Sequence, residues 1–142
     1  MAIKRPLVKI CGLRTAESLA VALEAGADMV GFVFFGPSPR NISLSEAAAL
    51  GRLVQGRAKI VALTVDADDA LIDAISRAVA PDILQLHGKE TPERAAALSA
   101  RTGKQIMKAV GVSETVDLAR TADFAPACDW LLLVAKPPKD AT

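Results

Sequence analysis

The sequence predicts an α/β fold: a parallel sheet of the (βα)8 TIM-barrel type that stops after its sixth strand, a single incomplete barrel domain over residues 1–142. Three observations carry this expectation. Six short apolar segments alternate with five of helical periodicity, and parallel neighbours need crossovers of that length. The first turn, Cys11-Gly12-Leu13-Arg14, lacks the glycine-rich fingerprint of an open dinucleotide-binding sheet. Instead, Cys11, Arg40, Gln85, His87 and Lys108 fall at or just after strand ends, the distribution of a barrel whose ligand site lies at the C-terminal ends of its strands. Eight units typically take about 200–250 residues, so 142 residues are expected to hold six.

Each element has a local cause. Leu7 to Cys11 is an apolar run ending at Gly12, and Ala16 to Glu24 repeats apolar residues at helical spacing until Gly26 stops it. Met29 to Phe34 is almost wholly apolar, a strand covered on both faces, and it runs into the breakers Gly36, Pro37, Ser38 and Pro39. Ser43 stands three residues before Glu46, the spacing of a capping box, and opens a helix from Leu44 to about Leu53. Strands over Lys59 to Val65 and Ile83 to Leu86 are followed by helices over Asp69 to Val79 and Pro92 to Arg101, the last with proline in its first turn. Gln105 to Val110 forms a fifth strand, Ser113 caps a helix near Thr115 to Arg120, and Trp130 to Ala135 forms a sixth strand before Pro137 and Pro138.

Composition narrows the function. Hydrophobic residues make up 51% of the chain, enough for a packed core and too many for a disordered segment. Seventeen Lys and Arg against 16 Asp and Glu leave a net charge of +1, which offers nucleic acid or an anionic membrane no electrostatic footprint. Aromatic residues are 4%, too few for a base-stacking surface. No apolar run approaches the roughly 20 residues of a membrane-spanning helix, and the start through Lys4, Arg5 and Pro6 has no signal-peptide core. Two distant cysteines, Cys11 and Cys128, suggest neither a disulfide framework nor a metal knuckle, so a reducing cytoplasm is the expected compartment. A sheet that ends at six strands leaves apolar edges, so self-association through those edges, or a covering segment, is also expected.

Lys9-Ile10-Cys11-Gly12-Leu13, then Gly31-Phe32-Val33-Phe34 with Ser38-Pro39-Arg40-Asn41-Ile42, then Gln85-Leu86-His87-Gly88, together resemble the phosphoribosylanthranilate isomerases. That family consists of cofactor-free (βα)8 barrels of tryptophan biosynthesis. The resemblance implies an Amadori rearrangement, in which phosphoribosylanthranilate opens its ribose ring and passes from aldose to ketose. It implies that Cys11 is the general base. It further implies that the family's general acid, an aspartate at the end of the sixth strand, is replaced here by Val134 within Leu131-Leu132-Leu133-Val134-Ala135-Lys136. The family's phosphate-binding backbone follows its seventh and eighth strands, and this sequence reaches Thr142 before either.

The residues support these roles on their own chemistry. A base at Cys11 requires a thiolate, favoured at an electropositive strand end, and Lys9 two residues back points to the same side. Arg40 sits in a proline-rich loop that can aim its guanidinium fork at a carboxylate. Gln85 and His87 alternate across Leu86, so both face the ligand end as candidate substrate contacts while Leu86 packs outward. His87 is the only histidine and its motif holds no second ligand, so no metal is expected there. Asp66, Asp68 and Asp69 read as helix-capping residues rather than a magnesium site, and Cys128 as a packed thiol. Lys108 and Lys136 have no assigned role. Two function classes follow: an isomerase impaired at Val134, or a non-catalytic partial barrel that closes its edges by self-association.

Overall fold

The computed structural model describes residues 5–136. The expectations resting on Lys4, Pro137, Pro138 and Thr142 lie outside those residues. The strands are β1 (Lys9–Cys11), β2 (Met29–Phe34), β3 (Lys59–Thr64), β4 (Ile83–Leu86), β5 (Gln105–Val112) and β6 (Trp130–Ala135). The helices are α1 (Ala16–Glu24), α2 (Leu44–Val54), α3 (Asp69–Ala78), α4 (Pro92–Thr102) and α5 (Ala119–Phe124). All six strands pair in parallel in sequence order, forming a half-barrel with helices on its outer side.

Alternation along the strands builds two apolar layers. Outward residues such as Phe32, Ala62, Leu84 and Ile106 meet Leu19, Leu50, Ile75 and Leu98 from the helices in the main core. Inward residues Met29, Val61, Ile83 and Met107 form a smaller cluster against which Trp130 and Leu132 pack. All six residues of β2 are buried, as its unbroken apolar run predicts. On β6 burial alternates, with Trp130, Leu132 and Val134 partly covered on the inner face and Leu131, Leu133 and Ala135 exposed.

Helix starts follow their capping chemistry. Ser43 Oγ accepts from Glu46 N at 3.1 Å and the Glu46 carboxylate accepts from Ser43 N at 3.4 Å, closing the capping box in both directions. Asp68 caps α3 by accepting from Leu71 N, and Thr91 caps α4 by accepting from Arg94 N.

Three expectations are corrected. β1 begins at Lys9 rather than Leu7, because Val8 is bound to Asp28: its N–H donates to the Asp28 carboxylate at 2.8 Å and its carbonyl accepts from Asp28 N. Ser113 does not cap a helix over Thr115 to Arg120. Asp117 folds back and accepts from Ser113 N, Ser113 Oγ and Glu114 N at 2.9, 3.2 and 3.0 Å, which tightens Thr115–Leu118 into a 3₁₀ turn and delays α5 to Ala119. β5 also runs two residues beyond Val110, because Gly111 and Val112 pair with Val134 and Ala135.

Candidate active site

The C-terminal ends of the strands gather most of the polar residues singled out in the sequence. Cys11 ends β1 half-buried on the inner face, directly across from Gly31. A Cβ on Gly31 would lie 3.2 Å from Cys11 Sγ, so the neighbouring strand is cut back to backbone where the thiol sits. The chain then turns through Gly12 at φ +82°, and Gly12 N and Leu13 N both donate to Gly31 O. That left-handed turn leaves space for Arg40, whose Cδ would stand 2.4 Å from a Cβ at Gly12. Arg40 Nη1 reaches toward Cys11 O at 3.5 Å.

The loop carrying Arg40 is tied down locally. Arg40 N donates to Ser38 Oγ at 3.1 Å, Arg14 Nη1 donates to Pro39 O at 2.9 Å, and Asn41 bridges to Val33. No carboxylate pairs with the Arg40 guanidinium among the described residues. A cavity of about 330 Å³ opens beneath it, with Arg40 on one wall, His87 on the other and Leu63 and Val65 between.

His87 also borders a second cavity of about 270 Å³, which it shares with Val134, Arg120 and Lys136. The imidazole therefore stands between the Arg40 side of the mouth and the Val134 side. Burial lowers its pKa below the ordinary histidine value, and the charges of Lys108, Lys9 and Arg40 push the same way against Glu90. These effects favour the uncharged imidazole, in which one nitrogen donates and the other accepts.

Gln85 lies on the same inner face one layer down and is almost fully buried. Its amide nitrogen is 3.5 Å from His87 Nδ1, and its carbonyl oxygen has no hydrogen-bond partner among the described residues. Gln85 lines neither cavity, whereas His87 lines both. Lys9 shares the inner face with Cys11 but sits low, beside Met29, Met107 and Trp130. Cys128 is away from the mouth and packs against the main core, where burial and the neighbouring Asp129 raise its thiol pKa.

The sequence reading missed one feature of the site's frame. Lys108 and Glu90 form a buried ion pair at 3.1 Å behind the loop that bears His87. Lys108 does not stand at a strand end, as its place in the sequence suggests: it is the fourth of the eight residues of β5, buried, and faces the helix layer between Ile106 and Val110. Asp69 likewise pairs with Arg94, and Asp66 accepts from Lys89 N, so the acidic group is spent on the loops around α3 and α4. Among the described residues no three His, Cys, Asp or Glu side chains are grouped to hold a metal ion.

The sequence model of the N-(5'-phosphoribosyl)anthranilate (PRA) isomerases matches residues 8–136. The chain belongs to the PRA isomerase family. It is 56% identical over 136 residues to the N-(5'-phosphoribosyl)anthranilate isomerase of Afipia carboxidovorans, covering 96% of this chain and 58% of that one. The enzyme of Bradyrhizobium diazoefficiens is 57% identical over 136 residues, with 96% and 61% covered. The chain thus spans about three fifths of the length of these curated relatives.

Among solved structures, the PRA isomerase of Thermotoga maritima superposes with a TM-score of 0.87 at 32% identity, covering 95% of this chain and 64% of that one. A PRA isomerase in complex with reduced 1-(o-carboxyphenylamino)-1-deoxyribulose 5-phosphate superposes with a TM-score of 0.85 at 31% identity, covering 93% and 66%. The superposed part takes in the six parallel strands of the half-barrel.

Proposed function

We propose that the half-barrel is the first six units of a (βα)8 barrel and carries the aldose-ketose isomerisation site for phosphoribosylanthranilate, a soluble cytoplasmic activity without a cofactor. The observation that carries this reading is the convergence over Gly12: the turn that ends the Cys11 strand is shaped to hold Arg40 above it. A thiol and an unpaired guanidinium on one rim suit a substrate with a carboxylate at one end and an acidic C–H beside an imine. The greater length of the relatives supports the remaining two units.

In this reading the Arg40 fork binds the anthranilate carboxylate, and that contact aims the ribose chain across the mouth. With a proton on the ring oxygen, the bond from that oxygen to the anomeric carbon breaks as the nitrogen lone pair forms a protonated imine, and Cys11 as thiolate takes the proton from the adjacent sugar carbon, giving a neutral enamine that tautomerises to the ketose. The neutral His87 imidazole donates to a sugar hydroxyl or accepts from one, with Gln85 behind it limiting ring rotation. Ring opening needs a proton on the ribose ring oxygen, and Val134 has none to give. General acids typically contribute about 10²–10⁴ in rate, so turnover is reduced by that order while substrate binding through Arg40 persists.

The experiment is calorimetric titration with the reduced analogue, 1-(o-carboxyphenylamino)-1-deoxyribulose 5-phosphate, of the protein and of its Arg40→Ala variant. Loss of a charge-assisted bidentate contact weakens binding by about 10- to 100-fold. Equal affinity for the two proteins refutes Arg40 as the carboxylate anchor.

A further inference from the structure

We infer that Glu90 and Lys108 are a positioning pair, buried outside the sheet, that sets where the His87 imidazole stands in the mouth. The inference rests on the proposed reading in one respect only, that His87 contacts substrate.

The pair holds backbone rather than merely burying charge. Lys108 Nζ donates to Gly88 O at 2.7 Å and to Glu90 Oε1 at 3.1 Å, and lies 5.2 Å from the centre of the Phe124 ring. Glu90 Oε1 also accepts from Gly88 N at 2.8 Å, so the N–H and the carbonyl of the residue after His87 are both held by one ion pair. Glu90 Oε2 accepts from Asp66 N at 2.9 Å, and Asp66 Oδ1 accepts from Lys89 N at 2.8 Å. The β3 and β4 exit loops are thereby locked together through two carboxylates. His87 N donates to Thr64 O at 2.9 Å, which extends the sheet pairing to the histidine itself.

With His87, Gly88 and Lys89 each fixed through their N–H groups, the imidazole retains only its two side-chain torsions, and Gln85 limits one of them. Gly88 belongs to the device: a Cβ there would lie 2.7 Å from the Asp66 carboxylate. A buried ion pair is a costly way to gain stability, and apolar residues of the same volume often do as well. Its hydrogen bonds hold Gly88 in the loop after His87 and Asp66 in the loop after β3, which apolar residues cannot do.

Because His87 is the only histidine, its ring nitrogens can be followed without ambiguity by long-range ¹H–¹⁵N correlation in the labelled protein. The groups that act on the ring are Lys108 and Glu90 from behind the loop, Arg40 from the mouth and Lys9 from low on the inner face. Above the imidazole pKa, one tautomer dominates in the unaltered protein. In Lys108→Met and in Glu90→Gln the two ring nitrogens move toward the averaged pattern of free histidine, and Gly88 and Lys89 amide exchange rises about tenfold or more. Amides of α1 and β2 stay unchanged, which separates lost positioning from lost fold. Should either single variant not fold, the Glu90→Gln/Lys108→Met double variant removes both charges, and exchange in the unaltered protein gives an independent reading. Ring nitrogens that do not move in a folded variant, or Gly88 and Lys89 amides that exchange at unprotected rates in the unaltered protein, overturn the inference. Unchanged binding of the reduced analogue by His87→Ala instead removes the substrate contact at His87 and leaves the ring-nitrogen result standing.

Discussion

Replacing Gly12 by alanine separates two costs that the structure assigns to one residue. Gly12 lies at φ +82°, and a Cβ there would fall 2.4 Å from Arg40 Cδ and 2.9 Å from Arg40 Nη1. Gly26 has nearly the same backbone, φ +88°, with nothing within 4 Å of its Cβ position. The backbone term is common to both, about 1–2 kcal/mol for an L-residue in the left-handed region. Unfolding entropy of about 2.1 cal/mol/K per residue gives about 0.3 kcal/mol/K for 142 residues, so each variant loses about 3–7 °C in Tm. Only Gly12→Ala also displaces Arg40. That variant alone should shift the Arg40 Nε–Hε resonance and weaken the reduced analogue by about 10- to 100-fold, the value of the guanidinium contact. The assays are thermal unfolding, NMR and calorimetry on both variants. If Gly12→Ala and Gly26→Ala match in analogue affinity, the packing of Arg40 over the first turn does not serve the site.

Other outcomes follow from the same structure. Ser43→Ala removes one half of the capping box of α2 and should cost about 1 kcal/mol in denaturant titration, whereas Ser45→Ala, two residues on in the first turn, should cost far less. The His87 pKa is lowered in the folded protein, so the unfolded chain binds its proton first; stability falls as pH drops from about 6.5 through the folded value, and above about 6.5 this group adds no pH dependence. His87→Gln should remove that part of the pH dependence of Tm, and an unchanged profile would contradict the lowered pKa. Asp28 has its pKa lowered by the Arg5 hydrogen bond and by Val8 N, so its contribution is present above 3.8 and lost as pH falls through the folded value; Asp28→Asn should flatten the acid limb there.

Local signals were strongest where one element decides its own state. The uninterrupted apolar run of β2 and the stop residues around α1, β4 and β6 define segments whose ends in the structure coincide with the sequence reading. Capping at Ser43 and Asp68 was legible for the same reason, since donor and acceptor lie within one turn. The turn after β5 was not, because Asp117 competes for the very N–H groups that a helix start would leave free. The Lys108–Glu90 pair joins residues 18 apart in different elements, beyond any local rule. One trace of it is readable in hindsight: Lys108 has the parity of Ile106 and Val110 in a strand buried on both faces, and a charge in such a place needs a partner. Motif spacing brought Arg40 and His87 to one cavity, but parity alone could not show that Gln85 stops a layer below it.

On the proposed reading, residues 8–136 carry the substrate-binding mouth of a PRA isomerase whose proton donor is missing at Val134. The direct measurement is kcat of a chimaera in which this segment replaces its counterpart in the Bradyrhizobium diazoefficiens relative, with and without Val134→Asp. The substitution should raise kcat by about 10²–10⁴ while leaving affinity for the reduced analogue within a few-fold. Equal kcat for the two chimaeras, whether both fast or both inactive, would contradict the assignment of the acid to that position.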